Sequence, residues 1–297
     1  MALPSISVIN FASELDDRDI QNAIRSVNRQ ILEDFTPIWG SARELRLHAP
    51  SFNPADPDVL VEDPVRGESV VYLVDEASLP GALGYHDLNT RDIPVGFVFI
   101  VNPRDWTVTL SHEALEMIID PTVNIFVPGP DPRPGPANTV LHTYEVCDAV
   151  ERSTYQIDGV RVSNFITPSY FTIGEAIGTR NDLLGVGVDS FGVTRDSHIA
   201  FYDLTTNTFV TVTGQRSQSV SPMVKDPEWF DHPKPERPEK ILQSILGNYH
   251  VRPHQRVLQS PESGLVSLKG ISRESRYRAD AERIGAKNFV ENLALTN

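Results

Sequence analysis

One cysteine, Cys147, is all the thiol this chain has. No intrachain disulfide can brace it, so its stability has to come from buried apolar surface. Basic residues are scarce too: 26 Lys and Arg stand against 40 Asp and Glu, a formal net charge of -14. That balance repels phosphate backbones and sets nucleic acid aside as a partner. Long apolar runs are missing as well. None approaches the about 20 residues a membrane helix needs, so no membrane span is expected. The opening MALPSISVINF lacks a basic n-region and an apolar h-region. No secretion signal is read there, and the expected location is the cytoplasm or, by incorporation, a larger particle. Internal repeats are absent.

What is present is unevenly placed. Residues 238–297 carry 9 Lys and Arg against 6 Asp and Glu, and the remainder carries 17 against 34. An acidic body with a mildly basic tail points to different partners for the two parts. The 297 residues suffice for one large domain plus an appendage. We divide them at residue 214: a domain over residues 1–214 and an extended arm with short helices over 215–297.

The local patterns suggest an α+β fold. SISVIN (5–10) reads as a buried strand. A helix follows, with Ile20, Ile24, Val27, Ile31 and Phe35 on one stripe, Asp16 as its cap, and Pro37 and Gly40 as its end. ARELRLHA alternates like a strand, and residues 53–64 read as a Pro/Asp-rich loop. SVVYLVD (69–75) has the continuous apolar character of a central strand. GYHDL and VGFVFIV are two further strands, then a helix over the stretch TVTLSHEALEMIIDP (107–121), capped by Ser111. That order implies helices packed on one mixed sheet. Beyond it, VPGPDPRPGPAN is too rich in Pro and Gly for helix or central strand. Asp158-Gly159 marks one hairpin, and HIAFYDLTTNTFVTVTG a second. The segment from residue 215 is Pro-rich and charged, with terminal helices over about 241–251 and 273–295.

Chemistry concentrates in S-H-E-A-L-E (111–116). It has the form of the zinc-protease motif H-E-x-x-H, with Glu116 in place of the second histidine. Residues four apart share a helix face, so His112 and Glu116 converge on one ion while Glu113 sits beside them. Zinc accepts imidazole and carboxylate ligands. The extra carboxylate shifts the preference toward Mn or Fe(II) as alternatives. Burying such a polar face on an apolar helix is costly unless a cation partners it. A third ligand is expected from TYEVCDAVE, where Glu145, Asp148 and Glu151 would share one helical face. A solvated acidic face is the alternative there. Glu145 or Asp148 completes the site, with the other orienting a ligand, preferably Glu145 as ligand and Asp148 beside the His112 ring.

Taken together, S-H-E-x-x-E-x-x-x-D-P followed by E-x-x-D resembles zincin-type metallopeptidase-like proteins, and more closely an H-E-x-x-E group found in bacteria and tailed phages. The likeness extends to QILEDFTPIWG (30–40), GYH (84–86), YEVCD (144–148) and VSNF-x-TP-x-YF (162–171), roughly the first 170 residues. The resemblance implies a zincin-like mixed sheet with an N-terminal helix and an active-site helix. It also implies an edge strand lining a substrate cleft, for which GYHDL and VGFVFIV are the candidates. Glu113 would act as general base on a metal-bound water during hydrolysis of a peptide or protein substrate. Glu116 departs from the better-known zincins, which carry histidine at that position.

Other residues carry weaker signals. His86 on the edge strand and Tyr170 are the substrate-binding candidates, with Tyr144 and Tyr155 as further phenols. His142 has a loop position and a ligand or acid role as its functional reading. Cys147 reads as a small buried apolar residue, and His232, His250 and His254 have no ligand spacing. The first expectation is a metal-dependent hydrolase of the peptidase class. The rival is a non-catalytic structural or interaction protein, such as a virion component, that keeps the fold and assembles on a protein partner through its C-terminal arm.

Overall fold

The computed structural model describes residues 5–48, 69–75, 82–88, 93–101, 105–135, 137–174, 176 and 178–214, together with the backbone of residues 52–53, 56–60 and 221–223. The fold is α+β. The described residues form two compact units. The first takes the chain up to Thr122 and regains it for Tyr155–Val162; the second takes Val123–Thr154 and continues from Ser163. The domain expected over residues 1–214 thus falls into two units. Both are built from short apolar strands, so no compositional shift marks their border. The terminal helices, the histidines beyond residue 230 and nearly all of the arm lie outside the described residues.

The first unit opens with β1 (Ser5–Asn10) and α1 (Asp17–Arg29). The Asp16 carboxylate accepts the Asp19 N–H at 2.8 Å, the expected cap. All five stripe residues are buried. The helix does not end at Pro37. It widens into a π-turn over Gln30–Phe35 and finishes in α2 (Thr36–Trp39). Pro37 has no N–H and crowds the carbonyl four residues back, so the chain loosens there instead of stopping. The Ile31 carbonyl accepts both the Thr36 N–H, which closes the π-turn, and the Thr36 hydroxyl, at 2.6 Å. Gly40, left-handed at φ 70, ends the element.

Strands β2 (Glu44–His48), β5 (Ser69–Val74), β6 (Gly84–Leu88) and β7 (Pro94–Phe99) join β1 in one sheet of order β2-β1-β5-β7-β6. β3 (Phe52–Asn53) and β4 (Asp56–Leu60) pair where a loop was expected. The sheet is parallel except for β6, which runs antiparallel to β7 at the edge. One face packs Ile9, Tyr72, Phe97 and their neighbours, with Tyr85 stacked 5.2 Å from Phe97. The other face receives α3 (Trp106–Ile119), which packs on β7 and β6. α3 begins at Trp106 with Asp105 as its cap residue, so Ser111 is an interior, buried residue and not a cap. Burial of Trp106, Thr109 and Leu110 overrides the low helix propensity of the Thr-Val-Thr run. The hairpin β10 (Thr154–Ile157) and β11 (Val160–Ser163) turns through Asp158 and Gly159, both at positive φ as a type I′ turn requires. Within this unit Asp158 also receives two bonds from Arg29, at 2.7 Å each.

The second unit is an antiparallel sheet of order β14-β13-β12-β9-β8, from β8 (Phe126–Pro130), β9 (Thr139–Thr143), β12 (His198–Asp203), β13 (Thr208–Thr213) and β14 (Ser221–Met223). The proline-rich segment does pair, as edge strand β8, where missing N–H donors are tolerated. His142 lies in β9 and not in a loop. It is buried, its Nε2 lies 2.9 Å from the Pro130 carbonyl, and its ring lies 4.8 Å from that of Phe191. Burial lowers its pKa to about 4, so it is a neutral core histidine that donates from Nε2. The unfolded chain takes up this proton near pH 6.5 and the folded chain only near pH 4. Stability of the second unit should therefore fall as pH drops through that window. His142→Gln should flatten this acid limb by about one proton in a pH series of urea unfolding read on second-unit peptides by hydrogen exchange.

Candidate metal centre

α3 carries the motif residues as the helical spacing predicts. His112 Nε2 lies 3.2 Å from Glu116 Oε2. That separation is within hydrogen-bonding range, and it also suits two donor atoms sharing one cation. Glu113 and Glu116 are only 5% and 3% exposed. Two ionised carboxylates that deep require nearby positive charge or protonation.

A third group reaches them from the sheet. His86, 4% exposed on β6, places Nδ1 3.1 Å from Glu113 Oε2 and 3.8 Å from Glu116 Oε2. Donor atoms of His86, Glu113 and Glu116 lie within 4.8 Å of one another, close enough to hold a cation. His86, a substrate-binding candidate in the sequence, is buried against the helix and bonded to the expected base. The sequence signal was in Gly84-Tyr85-His86. Residues two apart on a strand share a face, so Gly84 and His86 both look at α3. A Cβ on Gly84 would stand 2.8 Å from Glu113 Oε1, and on Gly96, which pairs with His86, 3.1 Å from Met117 Sδ. The two glycines let the helix lie close against these strands.

The remaining candidates, apart from Tyr155 in the first unit, belong to the second unit. TYEVCDAVE is not a helix: only Asp148–Val150 forms a 3-10 turn, so Glu145, Asp148 and Glu151 do not share a helical face. The backbone here is used for tertiary pairing, with the Val146 carbonyl accepting from Ile166 N–H at 2.8 Å. Glu145, Asp148 and Tyr170 line a small pocket with His142. Asp148 and Glu151 flank His198, at 3.3 Å from Nε2 and 3.4 Å from Nδ1. The Asp148 charge, reinforced by hydrogen bonds to both carboxylates, raises the His198 pKa to about 11. Sequence reasoning missed His198, because nothing local links it to an acid 50 positions earlier. Tyr170, expected at the substrate, is buried and donates its hydroxyl to the Gly192 carbonyl at 2.6 Å. Tyr144 stacks on Phe171 at 4.6 Å, Tyr155 donates to Asp34 at 2.7 Å, and Cys147 is buried.

No helix among the described residues is long and apolar enough to cross a membrane. Comparison with protein-family models, curated proteins and solved structures returned no match to this chain.

Proposed function

We propose that this chain is a metal-dependent hydrolase of the zincin-like type, acting on peptide bonds. The observation that carries the reading is the pairing of His112 Nε2 with the buried Glu116 Oε2 at 3.2 Å, beside a second buried carboxylate, Glu113. His112 and Glu116 would hold the ion, with zinc favoured and Mn or Fe(II) as alternatives. Such an ion supplies Lewis acidity and makes a nearby water more acidic. Glu113 takes a proton from the attacking water, whose oxygen bonds to the scissile carbonyl carbon. It then returns that proton to the departing amine nitrogen as the C–N bond breaks. The edge position of β6 supports a peptide lying alongside it as an added strand. Glu145 or Asp148 is the further ligand proposed from the sequence.

Metal analysis and peptide hydrolysis test the reading together. Zinc-incubated protein should retain one ion and cleave fluorescein-labelled casein. Glu113→Gln should retain the ion and lose about 10²–10⁴ in rate. Glu116→Gln and His112→Ala should lose the ion itself. Of Glu145→Gln and Asp148→Asn, the one that weakens zinc binding marks the ligand. Wild-type protein that takes up no metal, or a Glu113→Gln protein that cleaves normally, would overturn the proposal. Zinc held without any cleavage would fit the assembly role instead.

A further inference from the structure

We propose that Gly84 and His86 form a two-residue cradle on β6 that orients the Glu113 carboxylate, with His86 as a positioning residue; this rests on Glu113 being the base proposed above. Each carboxylate oxygen of Glu113 is addressed by one of these residues. His86 Nδ1 stands 3.1 Å from Oε2. A carboxylate that is to serve as the base can only accept, so in this arrangement Nδ1 would carry the hydrogen. Oε1 occupies the space that any side chain at position 84 would need, 2.8 Å from the ideal Cβ. The strand thus fixes Glu113 by a bond on one side and by a gap on the other.

The same geometry sorts the two acids of α3. His86 Nδ1 is nearer to Glu113 than to Glu116, at 3.1 against 3.8 Å, whereas Glu116 Oε2 lies 3.2 Å from His112 Nε2. Each glutamate therefore has its own histidine. With its Nδ1 hydrogen committed to Glu113, His86 leaves Glu116 directed to His112. The register of β6 on β7 makes this possible, because His86 sits opposite Gly96 and the helix comes in over both. A strand shift of one residue would turn His86 to the other face.

Imidazole NMR on the full-length, zinc-free protein labelled with 15N-histidine tests the cradle without any assay. His86, assigned by its loss in His86→Asn, should show a protonated Nδ1 with a downfield proton. That proton should move upfield in Glu113→Gln, where the acceptor loses its charge, and stay in place in Glu116→Gln. A His86 protonated only at Nε2, or blind to Glu113→Gln, overturns the proposal. Rescue gives the second arm. The asparagine amide places a donor where Nδ1 lies, whereas glutamine places one near Nε2. Zinc-loaded His86→Asn should cleave labelled casein within a few-fold of wild type, and His86→Gln should lose about 10–100-fold, both with unchanged zinc content. Equal loss in the two variants also overturns it. If wild type cleaves nothing, the hydrolase reading fails while the NMR arm still decides the cradle.

Discussion

Gly84→Ala should destabilise the first unit by about 3 kcal/mol, at the upper end of what overpacking costs. The new Cβ would stand 2.7 Å from the Phe97 carbonyl oxygen, 2.5 Å from Thr109 Cγ2 and 2.8 Å from Glu113 Oε1. The first contact is with backbone of the paired strand, which cannot swing away as a side chain can. Either β6 separates from β7 or α3 lifts, and Glu113 moves in both cases. Gly96→Ala provides the comparison. Its nearest neighbours are Met117 Sδ at 3.1 Å and Val71 Cγ2 at 3.3 Å. A methionine can change rotamer, so about 1 kcal/mol is expected there. Urea unfolding followed by hydrogen exchange of β6, β7 and α3 peptides would read both. A Gly84→Ala protein as stable as wild type would mean that the helix does not approach the strand this closely.

Arg133→Ala should destabilise the second unit by about 3 kcal/mol, because it leaves buried carboxylates without their cation. Arg133 makes a two-point bond to Asp131, at 2.8 and 2.6 Å, and also bonds Asp203. The Asp131 and Asp203 side chains are 7% and 5% exposed. The guanidinium also lies 5.3 Å from the Phe201 ring centroid. It holds the Asp131 carboxyl below its ordinary range. That contribution is present above the unfolded carboxyl pKa of about 3.9 and is lost as pH falls through the depressed folded value. The gap between wild type and Arg133→Ala should therefore be full at pH 7 and should narrow below about pH 4. Asp203 also accepts the Thr205 N–H at 2.8 Å in the turn joining β12 and β13, so that turn should open first. Exchange rates of the β12 and β13 amides at pH 7 and pH 4 measure both effects. A gap that stays constant with pH would assign the loss to packing on Phe201 alone.

Much of the fold was legible because its signals are local. The α1 stripe, the Asp16 cap, the all-buried β5 and the Asp158-Gly159 turn each depend on residues within a few positions. The same holds for half of the candidate site. His112 and Glu116 meet because one helical turn separates them. Where local signals misled, tertiary packing had outweighed them. TYEVCDAVE has helical spacing of its acids, yet its backbone bonds to a distant segment. Ser111 looks like a cap, yet the helix extends back to Trp106, whose burial repays the weak propensity of Thr107 to Thr109.

By itself, then, the sequence determined which side chains of α3 face one way and which strands alternate or run continuously apolar. Those are consequences of fixed backbone periods, 3.6 residues for a helix and two for a strand. Only the tertiary structure decided that His86 comes to Glu113 from 27 positions away and that His198 comes to Asp148 from 50. Such meetings depend on strand register and on how closely a helix can settle. For His86 and Glu113 the meeting turns on the missing side chains of Gly84 and Gly96, whose effect appears only when two elements are brought together.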